Sequence, residues 1–209
     1  MIRIFLPAVL LILGFQCQNE SPEPLPAYDF TEKLTLTPYK KIYEVDDTIW
    51  VQFKTTEKSL FDKLSDNQIS TDTTYLGLSF YFERHYPVLN QVGFFSEATV
   101  ENALEVSYTP LYTYYNVLNF RTGCDDNSYF FRAAFVPKEP GVFSIRPQVD
   151  FSPCPTKLSA PRAKFTFTFD LADCNKDVWL TVPPESRGGE SGFTDLIIER
   201  KEMFVFKVE

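Results

Sequence analysis

Apolar and polar residues alternate along most of the chain from Leu34 onward. Leu34 to Tyr39 opens as Leu-Thr-Leu-Thr, the pattern of a half-buried strand. Ile42 to Val45 and Thr48 to Phe53, joined at the Asp46-Asp47 corner, form a second extended unit, with Ile49, Val51 and Phe53 on one face and Trp50 and Gln52 on the other. Thr73 to Arg84 carries the strongest signal. Leu76, Leu78, Phe80 and Phe82 fall on one side, and Tyr75, Gly77, Ser79 and Tyr81 on the other. One apolar and one polar-aromatic face suits an antiparallel sheet. Tyr108 to Tyr115 and Val117 to Arg121 are further extended segments. Ala163 to Leu171 alternates through Phe165, Phe167 and Phe169, and Met203 to Val208, with Phe204 and Phe206, reads as the last strand. Two stretches predict helix instead. Leu60, Phe61 and Leu64 have helical spacing within Ser59 to Asn67, and Ser96 would cap a turn or two through Leu104.

Between Cys124 and Cys154 the pattern predicts a hairpin. Ser128 to Val136 and Val142 to Phe151 flank the breaker Pro137-Lys138-Glu139-Pro140-Gly141. A register setting Phe135 against Phe143 puts Ala133 opposite Ile145, Tyr129 opposite Val149 and Cys124 opposite Cys154. The same register sets Arg132 against Arg146, and Pro147 argues for an edge or a bulge. Cys124 and Cys154 are thus the predicted disulfide, worth roughly 3–4 kcal/mol by loop entropy. Pairing of Cys154 with Cys174 is the alternative, leaving Cys124 unpaired.

About nine or ten short strands without alternating long helices define an all-β fold. The expectation is an immunoglobulin-like antiparallel β-sandwich with long loops and one or two short helices, spanning residues 34–209. Before it, residues 17–33 read as a flexible tether, since Gln18 to Pro26 is polar, Pro-rich and aperiodic. Residues 1–16 read as a signal peptide. Arg3 precedes an uncharged run from Ile4 to Phe15, too short for a bilayer span of about 20 residues but suited to a secretory leader.

Cys17 directly follows that run and resembles the lipobox cysteine of bacterial lipoproteins, although Gly14 and Gln16 stand where the family prefers Leu and Gly or Ala. Gln18, Glu20 and Glu23 look like the export signal of surface lipoproteins in Bacteroidota. Leader, lipid cysteine, Pro-rich tether and sandwich together resemble Bacteroidota-type lipoproteins. The resemblance implies lipidation of Cys17 and an outer-membrane location, facing the periplasm or the cell surface.

Composition narrows the partners. The 209 residues carry 20 Lys and Arg against 28 Asp and Glu, and losing Arg3 with the leader leaves 19 against 28, a formal charge of −9. An acidic protein repels phosphate backbones and anionic lipid, which disfavours nucleic acid and leaves the Cys17 acyl group as the membrane attachment.

Candidate chemistry is sparse, and no cofactor is predicted. His85 is the single histidine; it reads as a surface side chain at a strand end, and no Gly-x-Ser-x-Gly elbow accompanies it. The acidic pairs Asp46/Asp47, Asp125/Asp126 and Glu20/Glu23 lie at corners or in the tether, where Asp usually bonds its own backbone. Asp173-Cys174-Asn175-Lys176-Asp177 has the spacing of a calcium loop, but Val178 and Pro184 replace the required Gly and Glu. A looser set of Asp170, Asp173, Asn175 and Asp177 is the only metal candidate. Tyr108, Tyr112, Tyr114 and Tyr115 are the candidate binding residues, because tyrosine combines a rigid apolar body with a polar tip. The expectation is a non-enzymatic module binding protein or glycan. The alternatives are a structural or assembly subunit of an envelope complex and a hydrolase with an unrecognised site.

Overall fold

Strands that are apolar on alternate positions hide those positions by stacking one sheet on another. The structure, a computed structural model, describes residues 27–88, 95–112, 115–154, 162–187 and 191–209. Cys17, Tyr114, the 1–16 leader and the tether up to residue 26 lie outside the described residues. In chain order the strands are β1 (Tyr28–Thr37), β2 (Ile42–Tyr43), β3 (Ile49–Lys54), β4 (Ser59–Asp62), β5 (Asn67–Ser70) and β6 (Thr74–Tyr86). Then follow β7 (Ser96–Glu101), β8 (Leu104–Tyr112), β9 (Tyr115–Arg121), β10 (Phe130–Pro137), β11 (Gly141–Pro153) and β12 (Ala163–Phe169). Helices α1 (Lys176–Trp179) and α2 (Ser191–Glu199) precede β13 (Phe204–Val208).

These strands form the expected all-β sandwich. One sheet runs β5-β4-β1-β3-β10-β7, with β12 beside β1; the other runs β2-β13-β11-β6-β9-β8. Pairing is mostly antiparallel, but β1 with β12 and β13 with β2 are parallel. The core between the sheets is built largely of phenylalanine. Phe82 of β6 touches Phe95, Phe135, Phe143 and Phe206, with ring centroids 5.4–6.0 Å apart. Phe80 touches Phe120, Phe131 and Phe135 at 5.6–6.0 Å. Such pairs add about 0.5–1.5 kcal/mol each beyond the area they bury.

Several expectations need correction. The strands on either side of Pro137–Gly141 do not pair: β10 lies between β3 and β7, and β11 lies between β13 and β6 in the other sheet. The connection is an arch, not a hairpin. Alternation tells which face of a strand is buried but not which strand lies beside it. Phe135 and Phe143 both point inward and meet on Phe82 from opposite sheets. The feared Arg132–Arg146 clash does not arise, since Arg132 stacks on Trp50 at 3.7 Å and Arg146 pairs in register with Tyr81. Pro147 does mark an edge: β13 pairs with β11 only as far as Ile145, so beyond it β11 has β6 on one side alone.

Both predicted helices are strands. Ser59 to Asn67 spans the β4–β5 hairpin, whose turn is held by buried Asp62, which accepts from the backbone of Leu64 and Ser65 and from the Ser65 hydroxyl. This local side-chain-to-backbone bonding outcompetes a helical turn. Ser96–Glu101 pairs with β10, and Asn102, with φ 57°, ends it in the left-handed region that Asn tolerates. The ordered domain also begins earlier than residue 34, because β1 pairs with β12 from Tyr28 onward.

Cys124 and Cys154 are bonded, and Cys174 is unpaired and buried, so the alternative pairing is absent. The bond joins different elements from those expected. Cys124 follows β9 and Cys154 directly follows β11, the two strands flanking β6. Thr122 and Cys154 donate backbone hydrogen bonds of 2.9 Å to Leu76 and Thr73, so the staple closes around the start of β6. With the cysteines 30 positions apart, loop entropy alone predicts that a Cys124→Ser/Cys154→Ser variant loses about 3–4 kcal/mol in chemical denaturation. A variant with parental stability would show that the staple is dispensable.

Candidate functional site

Strand β6 is paired with β11 on one side and β9 on the other, and its outward positions organise the outer face of the second sheet. Register aligns these positions in cross-strand rows. Gly77 lies between Asp150 and Arg121; Ser79 lies between Gln148 and Asn119, with Ser107 of β8 beyond; Tyr81 lies between Arg146 and Val117; Glu83 lies between Ser144 and Tyr115. Residues directly opposite in antiparallel strands share a face and lie within contact distance.

The first two rows floor a trough of about 290 Å³. Its floor is low because Gly77 and Ser79 are small. A Cβ added at Gly77 would meet nothing closer than Asp150, at 3.6 Å. Along one wall Arg121 stacks on Tyr75 at 5.2 Å and pairs with Glu105 at 2.9 Å. One row beyond the lining, Tyr81 is held edge-on by Tyr115 at 5.9 Å, lies under Arg146 at 5.2 Å, and donates to Gln148 Oε1 at 3.0 Å. Ser79 Oγ donates to Asn119 Oδ1 at 2.7 Å, which leaves the amide NH2 groups of Asn119 and Gln148 to serve an incoming acceptor. Asp150 and Glu105 supply acceptors at the rim. Two half-exposed tyrosines therefore bracket a row of amides and hydroxyls.

Beyond Tyr81 the same face becomes buried. Ser144 Oγ lies 2.9 Å from His85 Nε2, and His85 Nδ1 lies 3.7 Å from Glu83 Oε1. Hydroxyl, imidazole and carboxylate follow one another in the order of a nucleophile relay. Ser144 has no exposed surface, however, and the Trp179 ring of α1 closes edge-on over His85 at 4.9 Å. Trp179 is itself held by a 2.7 Å bond from Nε1 to Asp195 of α2. No substrate carbonyl can reach this hydroxyl, so the group is a polar brace between sheet and helix. His85 is thus not the surface residue expected. Burial, reinforced by Arg146, lowers its imidazole to about 4. Burial raises the Glu83 carboxyl to about 7, against the opposing pull of Arg146.

The predicted tyrosines do not form one site. Tyr108 is opposite Leu118 in register and faces inward, where its hydroxyl meets Ser96 of the other sheet and Asn116; burial pushes its titration upward. Tyr115 faces outward against Tyr81. Tyr112 pairs with Tyr115 through the β8–β9 backbone register. The calcium candidates diverge as well. Asp170 pairs with Lys33 at 3.1 Å and Asp177 with Lys41 at 2.8 Å, while Asp173 accepts from the Asn175 backbone. Asn175 is buried with φ 61°; it accepts from Tyr39 and donates to Val205 O. No three His, Cys, Asp or Glu side chains converge on a metal position among the described residues. Burial raises the Cys174 thiol to about 12. Asp47 accepts from Glu44 N and Asp126 from Gly123 N, the turn-building role expected of corner acids, while Glu20 and Glu23 lie outside the described residues.

The brace predicts an opposed pH dependence. Glu83 keeps its proton in the fold up to about 7 but loses it near 4.5 when unfolded, so its contribution is full below 4.5 and is lost as pH rises through 7. His85 acts in reverse: its contribution is full above 6.5 and is lost as pH falls through 4. A Glu83→Gln variant removes only the first effect. Relative to the parent it should gain a few degrees in Tm at pH 8 compared with pH 4.5, read by calorimetry; an equal offset at both pH values would contradict the burial argument. Comparison of the chain with protein-family models, with curated proteins and with solved structures finds no match.

Proposed function

We propose that this chain is a lipid-anchored protein of the outer membrane whose sandwich captures glycans on the outer face of its second sheet. The trough over Gly77 and Ser79 carries the reading. Sugars present apolar C–H faces and a dense rim of hydroxyls, so their capture needs flat amphipathic rings beside paired donors and acceptors. Tyr75 and Tyr81 supply the rings, and Ser79, Asn119, Gln148 and Asp150 supply the polar groups. These groups belong to strands paired over most of their length, which keeps ordering costs on binding small. Membrane attachment rests on the leader pattern ending at Cys17.

A second reading, an assembly subunit of an envelope complex, draws support from β8. That strand forms the edge of the second sheet and exposes Leu104, Val106 and Leu111. Exposed apolar edge strands commonly pair with other chains.

On an oligosaccharide array followed by titration calorimetry, Tyr75→Ala and Tyr81→Ala should each weaken binding about tenfold or more, as expected for aromatic anchors, with the circular dichroism of the fold preserved. Absence of any glycan binding, with a stable protein partner recovered by cross-linking, would favour the second reading. Cys17→Ala should abolish acyl labelling and release the protein from membranes; continued membrane partition would contradict the anchor.

A further inference from the structure

We infer that the oligosaccharide held by this face carries a hexuronate beside neutral sugars, its carboxylate seated between Arg146 and Arg200; the inference rests on the glycan reading above. A second depression, of about 300 Å³, adjoins the trough and shares Gln148 and Val149 with it. It lies where β11 runs past β13, with Phe165 and Thr166 of β12 on one side and Phe193 of α2 on the other. A chain-like ligand can therefore cross from one depression to the other over Gln148.

Charge decides what the second depression takes. Among the described residues Arg84 pairs with Glu139, Arg121 with Glu105 and Arg132 with Glu101, whereas Arg187 donates to backbone carbonyls and Arg162 has no carboxylate at ion-pair distance. Arg146 and Arg200 both line the groove, and neither has a carboxylate at ion-pair distance among the described residues. Arg146 lies over the Tyr81 ring, 5.2 Å from its centroid, on the same outward face. A guanidinium offers a rigid fork matched to a planar carboxylate. Glu202 in the same groove, and Asp150 and Glu105 in the trough, repel a ligand charged at every position. That combination selects neutral sugars over Gly77 and a single carboxylate at the arginines, not a densely sulfated chain.

A peptide added as an extra strand is disfavoured by the backbone. Phe143 and Ile145 pair towards β13, and Cys154 N donates towards β6. By alternation, the peptide groups of Pro147, Val149, Phe151 and Pro153 face the edge that β13 leaves unpaired past Ile145. Two of these four lack an N–H, a recurrent guard against strand addition.

The test uses neutral oligosaccharides bearing one glucuronate, each compared with its carboxyl-reduced counterpart, by titration calorimetry on the full chain. The acidic forms should bind about tenfold tighter or more, the worth of one good charge-assisted contact. This preference should fall with added salt, disappear in Arg146→Met/Arg200→Met, and shrink in Arg200→Met alone. Equal binding of both forms overturns the inference and leaves the glycan reading standing. Failure of both forms to bind overturns the two together. Equal or tighter binding of a sulfated oligosaccharide or an acidic peptide with the same arginine dependence overturns the uronate assignment.

Discussion

A pleated strand has two faces that cannot be chosen independently, and this fold depends on how β6 uses both. Its inward positions, Leu76, Leu78, Phe80 and Phe82, carry the aromatic core that joins the sheets. Its outward positions, Tyr75, Gly77, Ser79, Tyr81, Glu83 and His85, are the axis of the candidate site. A slip of one residue would exchange the two sets, expose four large apolar side chains and bury the polar row. The core thus enforces the geometry of the site, and the trough needs no separate device to hold its register.

Both ends of β6 are secured by different chemistry. At its start the Cys124–Cys154 bond links the neighbouring strands, and Lys58, 3 % exposed, donates to the carbonyls of Thr74, Gly123 and Cys124. A buried ammonium is costly unless its protons are taken up, and three carbonyl acceptors do that here. Burial lowers the titration of Lys58, while Asp126, Asp72 and Asp125 oppose the shift. Lys58 lies on the connection from β3 to β4, so this corner also ties the first sheet to the second. At the far end the Ser144–His85 bond ties β11 to the same strand, and the Trp179 ring fastens the helical segment onto it.

What could be read from the sequence follows the same physics. Period-two alternation identified the strands around Leu34, Ile49, Leu76, Phe165 and Phe204, because each buries one face. It could not identify neighbours. The arch between β10 and β11 and a hairpin demand the same inward pattern, since Phe135 and Phe143 are buried either way. The Cys124–Cys154 pairing follows from either topology, because an arch and a hairpin both bring the ends of their strands back to one end of the sandwich. Helical spacing at Leu60, Phe61 and Leu64 misled because Asp62 organises a turn through its own carboxylate. Helix α2 lacked a comparably simple signal. The clustered tyrosines drew attention by number, yet Tyr108 and Tyr115 point to opposite faces. The better signal was the row Tyr75, Gly77, Ser79, Tyr81, in which two small residues separate two rings on one face.

That spacing also explains why the outer face is recessed over β6. On the first sheet the outward row places Gln52 between Thr35 and Arg132, with Trp50 in the adjoining row and the Arg132 guanidinium 3.7 Å from the Trp50 ring. Large side chains there fill the space they create. On β6 the small residues come in succession, while their cross-strand neighbours Asp150, Gln148, Arg121 and Asn119 are long enough to stand as walls. A glycine in a strand weakens it, and a strand paired on both sides and stapled at its start is where that weakness is best tolerated. Gly77 is therefore placed where the fold can accept it, and the recess is its consequence.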